Sequence, residues 1–292
     1  MIKNIDSLKD KARNCANKNN LSIQQVLQNY MFERFLDRLS QSKYNNNFVI
    51  KGGLLLSSIM GINMRTTMDI DIDITGINFE KDVIENIIKE IVEIDVNDGV
   101  IIRFNKVEDI KEQDEYGGYK FKLIAQYGNL KVPFHIDIST GDIITPRAIQ
   151  YRYNKILENE YINIWTYNQE TLIAEKLQTI LFRKLDNSRM KDFYDLYYFE
   201  KYKWNEIDKK LLGKAIQATF KQRETIEDLK IANSIIQSLE ENQEINSLWN
   251  EYRNKFTYAE DIEFVDTLNA IRDIIDTEEK IQKQQKNLGK VR

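Results

Sequence analysis

The chain predicts an α+β fold with a helical back half, on three observations. Aspartates alternate with isoleucines from Asp69 to Ile74, a strand, glycine turn and helix pattern precedes them at 48–61, and beyond about residue 150 glycine and proline nearly vanish. Alternation with period two is the mark of a strand, and loss of the turn-forming residues is the mark of continuous helix.

The elements follow in order. Residues 22–42 read as a helix, with Val26, Tyr30, Phe35, Leu36 and Leu39 at core spacing and Asn45-Asn46-Asn47 as the break after it. Phe48-Val49-Ile50 is a short apolar strand, Lys51-Gly52-Gly53 a turn, and Leu54 to Met60 a helix stopped by Gly61. Glycine allows close backbone approach and also ends helices. The acidic strand comes next, then a helix over 80–93 and a strand near Val100 to Phe104. A polar stretch leads to Gly117-Gly118 and a hairpin, Phe121 to Tyr127 and Leu130 to Ile138, joined at Gly128-Asn129. In its second strand Phe134, Ile136 and Ile138 share one face, leaving His135 and Asp137 on the other. The polar tail from Lys280 to Arg292 reads as frayed.

The carboxylate row carries the most chemical information. On a strand, Ile70, Ile72 and Ile74 enter a core while Asp69, Asp71 and Asp73 line up in solvent, neighbouring acids roughly 6.6 Å apart. Acids so crowded repel one another, and divalent cations relieve the repulsion. A solvated acidic edge strand has the same pattern. An EF-hand loop does not fit, because its sixth position needs glycine and holds Ile74. The context upstream favours chemistry: amides at the start of the 54–60 helix favour anions, so Gly52 and Gly53 can cradle a phosphate whose magnesium the acids would hold. Asp137 joins the acidic face if its strand lies beside that of Asp69 and Asp71. A solvated strand acid is the competing reading.

Composition narrows the function classes. The 292 residues suggest two domains, and with 42% hydrophobic residues the chain is globular. No apolar run approaches the roughly 20 residues that span a bilayer. The first residues lack a signal peptide's apolar segment, and the single cysteine, Cys15, fits a reducing cytoplasm. One histidine argues against zinc, whereas an oxygen-rich site suits magnesium or manganese. A net charge of −4 means that any RNA contact must come from a local basic face.

In the helical half, Ile173, Leu177, Ile180 and Leu181 form an apolar stripe with Lys176 at its edge, where a lysine is usually a snorkelling surface residue. Asp192 and Asp195 share a face of the next helix, Asp195 reading as half of a surface salt bridge. Tyr194, Tyr197, Tyr198 and Phe199 read as core. Lys209, Lys210, Lys214, Lys221 and Arg223 give a sparse basic surface able to grip an RNA backbone, though most of it reads as a solvated helix face.

Several ordered blocks carry a resemblance to a known family. They are Glu33-Arg34-Phe35-Leu36-Asp37-Arg38-Leu39-Ser40, Phe48-Val49-Ile50-Lys51-Gly52-Gly53, Arg65-Thr66-Thr67-Met68-Asp69-Ile70-Asp71, His135-Ile136-Asp137-Ile138, Ala174-Glu175-Lys176-Leu177 and Arg189-Met190-Lys191-Asp192-Phe193-Tyr194-Asp195-Leu196. Together they resemble the AbiEii/AbiGii abortive-infection nucleotidyltransferase toxins, within the DNA polymerase β-like nucleotidyltransferases. The resemblance implies a polymerase β-like nucleotidyltransferase sheet with flanking helices over 1–150, and a helical domain over 151–292 contributing Lys176 and Asp192 to the active-site cleft. It implies Asp69, Asp71 and Asp137 as metal ligands and, with Lys176 and Asp192, as catalytic residues. Nucleotide binding falls to Lys51, Gly52, Gly53, Arg65 and Lys176. One departure stands out: the superfamily usually places serine or threonine after the second glycine, and this chain has Leu54.

The function so implied is that of a cytoplasmic toxin of a type IV toxin-antitoxin, phage-defence system, neutralised by a cognate antitoxin. It would use magnesium or manganese to transfer a nucleoside monophosphate from an NTP to an acceptor, the 3′ end of tRNA, and so block translation. The same acids would serve a magnesium-dependent nuclease, and Leu54 leaves room for a catalytically degenerate binding module.

Overall fold

Extended segments between residues 48 and 166 assemble into one seven-stranded mixed sheet. The computed structural model describes residues 2, 4–110 and 117–289, with side chains as far as residue 283. It divides into two units, Met1–Asp142 with Ala148–Tyr167, and Ile143–Arg147 with Asn168–Arg292.

In the first unit the chain runs α1 (Ile5–Asn19), α2 (Ile23–Gln41), β1 (Phe48–Lys51), α3 (Gly52–Met60), β2 (Ile70–Ile74), α4 (Lys81–Val92), β3 (Val100–Ile110), β4 (Gly118–Tyr127), β5 (Leu130–Thr140), β6 (Ile149–Asn154) and β7 (Tyr161–Thr166). The strand order is β3-β4-β5-β2-β1-β7-β6. Strand β2 runs parallel to β5 and antiparallel to β1. Helix α2 starts on a capping box between Ser22 and Gln25 and packs on β5, where Phe32 meets Phe134 edge-on at 5.8 Å. The inward residues Ile70, Ile72, Phe134, Ile136 and Ile138 are buried, as the alternation requires.

The Glu33 to Ser40 block is an ionic staple. Arg38 grips both oxygens of Asp98 at 2.8 and 3.0 Å, Arg34 meets Glu158 at 2.8 Å, and the Ile156 amide donates to Glu33 at 2.7 Å. These bonds tie the connections before β3 and between β6 and β7 to one helix. Complete burial pushes the Glu33 carboxyl up to about 8, although the Ile156 amide, Arg34 and Lys155 all favour its charged form.

The second unit is helical: α5 (Gln169–Arg183), α6 (Met190–Tyr198), α7 (Lys209–Gln222), α8 (Ile226–Lys230), α9 (Ala232–Glu241), α10 (Gln243–Lys255) and α11 (Phe264–Gly289). Trp249, Phe193 and Phe264 centre its core, the Trp249 indole donating to the Ile262 carbonyl at 3.0 Å. Tyr194, Tyr198 and Phe199 are buried, as expected of core residues, and Tyr197 half-buried.

Four sequence expectations change. Strands β6 and β7 follow residue 150, where the pattern read as helical; each is only six residues long, and β6 buries Tyr153 alone. Strand β3 extends to Ile110 past a register shift between Phe104 and Lys106, because a bulge lets a polar segment keep pairing. The tail is helical to Gly289, Ile281 holding it down by packing against Gly213. Asp73 is fully buried instead of solvent-facing, because β2 is an interior strand. The polar stretch 111–116 and residues 290–292 lie outside the described residues.

Candidate active site

The parallel pairing of β2 and β5 puts Asp71 directly beside Asp137, with Asp73 beside Ser139. On the other flank Lys51 is the antiparallel partner of Asp71, and beyond β5 Lys120 is the partner of Asp137. A single row of side chains, Lys51, Asp71, Asp137 and Lys120, therefore crosses four strands at about 4.8 Å per step.

The glycine turn is built around Asp71. Gly52 has φ +59, and a Cβ there would lie 2.0 Å from Asp71 Oδ2. The Gly53 amide donates to that same oxygen at 3.0 Å. A Cβ at Gly53 would lie 2.5 Å from Thr67 Oγ1, and that hydroxyl accepts from the Asp69 amide at 3.3 Å. The turn read as a phosphate cradle is, in the structure, the seat of a carboxylate. Leu54 is fully buried in the core, which explains why no hydroxyl stands at that place.

Each acid has a partner. His135 Nε2 meets Asp69 Oδ1, and Lys120 Nζ stands 3.0 Å from Asp137 Oδ2. Burial raises the Asp137 carboxyl above its ordinary value; Lys120 opposes this, and the neighbouring Asp71 adds to it. Lys51 Nζ pairs with Asp142 and lies 5.7 Å from the centre of the Tyr167 ring. Arg65 is buried, its guanidinium donating to the Thr66 carbonyl. His135, Asp142, Lys120 and Thr67 were not singled out as site residues in the sequence. His135 and Lys120 were the findable ones, since strand parity alone puts them on the acidic face.

Among the described residues, no group of three or more His, Cys, Asp or Glu side chains converges to hold a metal ion. Asp69, Asp71 and Asp137 share a face, but Asp69 is turned to His135. The pair that fits a divalent ion is Asp71 with Asp137, because Asp137 Oδ1 is buried and accepts no hydrogen bond. A buried anionic oxygen left open is costly without a cation or donor, and hard cations take carboxylate oxygens.

In the helical unit, Lys176 is held between two buried acids, Asp192 at 2.5 Å and Asp195 at 2.7 Å, and Arg189 Nε donates to the second oxygen of Asp192 at 2.9 Å. Burial works to raise the Asp192 carboxyl, but Lys176 and Arg189 outweigh it and hold it well below the ordinary carboxylate range. One reading changes here: Asp195 is not half of a surface pair, its buried carboxylate meeting Lys176. Asp195 was placed by helical spacing alone, which cannot register that α6 packs against α5.

Comparisons agree with this architecture. A structure described as a candidate nucleotidyltransferase from H. pylori is 14% identical, covering 90% of this chain and 99% of its own, with a TM-score of 0.50. MenT4, a nucleotidyltransferase toxin from Mycobacterium tuberculosis, is 16% identical, covering 92% of this chain and 98% of its own, also with a TM-score of 0.50. At these identities the likeness speaks for the fold. No curated protein sequence matches the chain. The family model described as "Nucleotidyl transferase AbiEii toxin, Type IV TA system" matches residues 34–276, from α2 into α11. That span takes in both the carboxylate row and the Lys176 cluster, and the chain therefore belongs to the AbiEii family of nucleotidyltransferase toxins.

Proposed function

We propose that this nucleotidyltransferase transfers a nucleoside monophosphate from an NTP to the 3′ end of tRNA, with magnesium or manganese held by Asp71 and Asp137, and Asp69 beside them. The observation that carries the reading is the Asp71 and Asp137 pair, abreast on parallel strands, with one buried oxygen of Asp137 open. When bound, the divalent ion supplies charge neutralisation at the transferring phosphoryl group. Asp137, abreast of Asp71 on the neighbouring strand, takes the proton of the attacking hydroxyl. The glycine turn keeps Asp71 in place through the Gly53 amide. Lys51 and Arg65 serve nucleotide binding, and Lys176, steadied by Asp192, offsets the charge of departing pyrophosphate.

Modification of the tRNA end would block aminoacylation, stopping translation and growth. A cognate antitoxin would neutralise the toxin in the cytoplasm as part of phage defence. No helix among the described residues is long and apolar enough to cross a membrane. The test is transfer of label from each of four α-labelled nucleoside triphosphates onto total tRNA with magnesium, comparing native chain with Asp71→Asn. Label with the native chain alone supports the reading and names the base. Intact, unlabelled RNA with growth still arrested by both proteins would overturn it.

A further inference from the structure

The outer face of strands β3, β4 and β5 continues the carboxylate row into a basic field. Strand register lays it out as a grid. Lys106, Lys122 and His135 form one row, Arg103, Ile124 and Pro133 a second, and Lys131 stands beside Gln126 in a third. Arg103, Lys106 and Lys131 are exposed, and Lys120 and Lys122 half-buried. The acid set among these cations, Glu108, pairs with Lys106 at 2.6 Å and Lys122 at 2.7 Å. Positive charge is thus concentrated on one sheet face of a chain whose net charge is −4.

The basic surface expected on α7 is thinner than its sequence suggests. Lys209 donates to the Trp204 and Ile207 carbonyls, and Arg223 is half-buried and donates to Gln178 and Glu175. Those two cations are spent inside the helical unit.

We propose that the β3 to β5 face binds the sugar-phosphate backbone of a single-stranded nucleic-acid acceptor, leading its end to Asp137. The occupant is chosen by charge complementarity, since cations spaced along open strands match a run of phosphates. Lys120 marks the point of contact with the chemistry, its ammonium 3.0 Å from Asp137. No Phe, Tyr or Trp stands in the named rows, and the one imidazole, His135, is engaged with Asp69, so the grip is on backbone charge and tolerates any base sequence. The identity of the reacting end rests on the nucleotidyl-transfer reading; the binding surface does not.

The experiment is titration of a fluorescein-labelled, mixed-sequence single-stranded RNA with the full chain across a salt series, without nucleotide. Combining Arg103→Gln, Lys106→Gln and Lys131→Gln should weaken binding and lower the salt slope by about 2, at about 0.7 per lost phosphate contact. These exposed positions keep the fold, checked by circular dichroism. Combining Lys210→Gln, Lys214→Gln and Lys221→Gln on α7 should leave the slope unchanged. Equal slopes for native and sheet-face variants overturn the inference, as does loss of binding in the α7 variant instead. An acidic peptide competing as well as RNA of equal charge would mark a protein-docking face and also overturn it. RNA binding with the expected slope but no label transfer sinks the transfer reading and leaves the surface. Label transfer with a slope indifferent to the sheet-face variant does the reverse.

Discussion

Gly53 donates its amide hydrogen to Asp71 Oδ2 at 3.0 Å, while the preceding Gly52 leaves no room for a Cβ beside the same oxygen. The two glycines act on one carboxylate, one by a hydrogen bond and one by absence of a side chain. The helix that begins at Gly52 is thereby docked onto the strand that carries the acids.

Gly52→Ala should consequently disable transfer more than folding. The new methyl would overlap the carboxylate at a φ of +59, so Asp71 must move. A displacement of about 1 Å in such a site costs on the order of 100-fold in rate. Rates of NTP-dependent labelling, read beside thermal melts, check this; an active Gly52→Ala chain would show that the position of Asp71 is immaterial.

Manganese should raise the melting temperature of the native chain, and less so for Asp71→Asn or Asp137→Asn. At a hundredfold excess over its dissociation constant, an ion bound only by the folded state adds about 2.7 kcal/mol. Differential scanning fluorimetry with and without manganese makes the comparison. An unchanged shift in both variants would place any cation elsewhere.

Lys176→Met should be strongly destabilising, because it leaves Asp192 and Asp195 buried side by side without the ammonium that pairs with both. Removing one partner of a buried ion pair costs about 3–5 kcal/mol. Adding Asp195→Leu should recover part of this, and urea denaturation of the single and double variants measures the coupling.

Glu33 should make stability decline with pH. Its carboxyl is raised to about 8 in the folded chain, against about 4.3 unfolded, so between these values the folded state holds a proton that the unfolded state has lost. The contribution is complete below about pH 4.3 and lost as pH rises toward about 8, by up to about 1.4 kcal/mol per unit. Glu33→Gln should abolish this slope, so the native-minus-variant difference in urea midpoints should fall between pH 5 and pH 8; a difference that stays constant would refute it.

Much of the architecture was legible beforehand because it is written in local periodicity. Alternating isoleucine and aspartate announced β2, glycine punctuated α3 at both ends, and Gly128-Asn129 marked the turn between β4 and β5. Parity then sorted His135 and Asp137 onto the polar face. The two short strands after residue 150 escaped because six residues are too few to outweigh a helical surround.

Strand alternation and glycine spacing were enough to find the acids, the turn and the class of fold, since both act between near neighbours. Partners distant in sequence were a different matter. Lys51 meets Asp142 from 91 residues away, Asp69 meets His135, and Asp73 disappears into the core. Those outcomes depend on which strands lie side by side and which helices pack together, and a side chain's charge environment is fixed by such neighbours, not by its place in the chain.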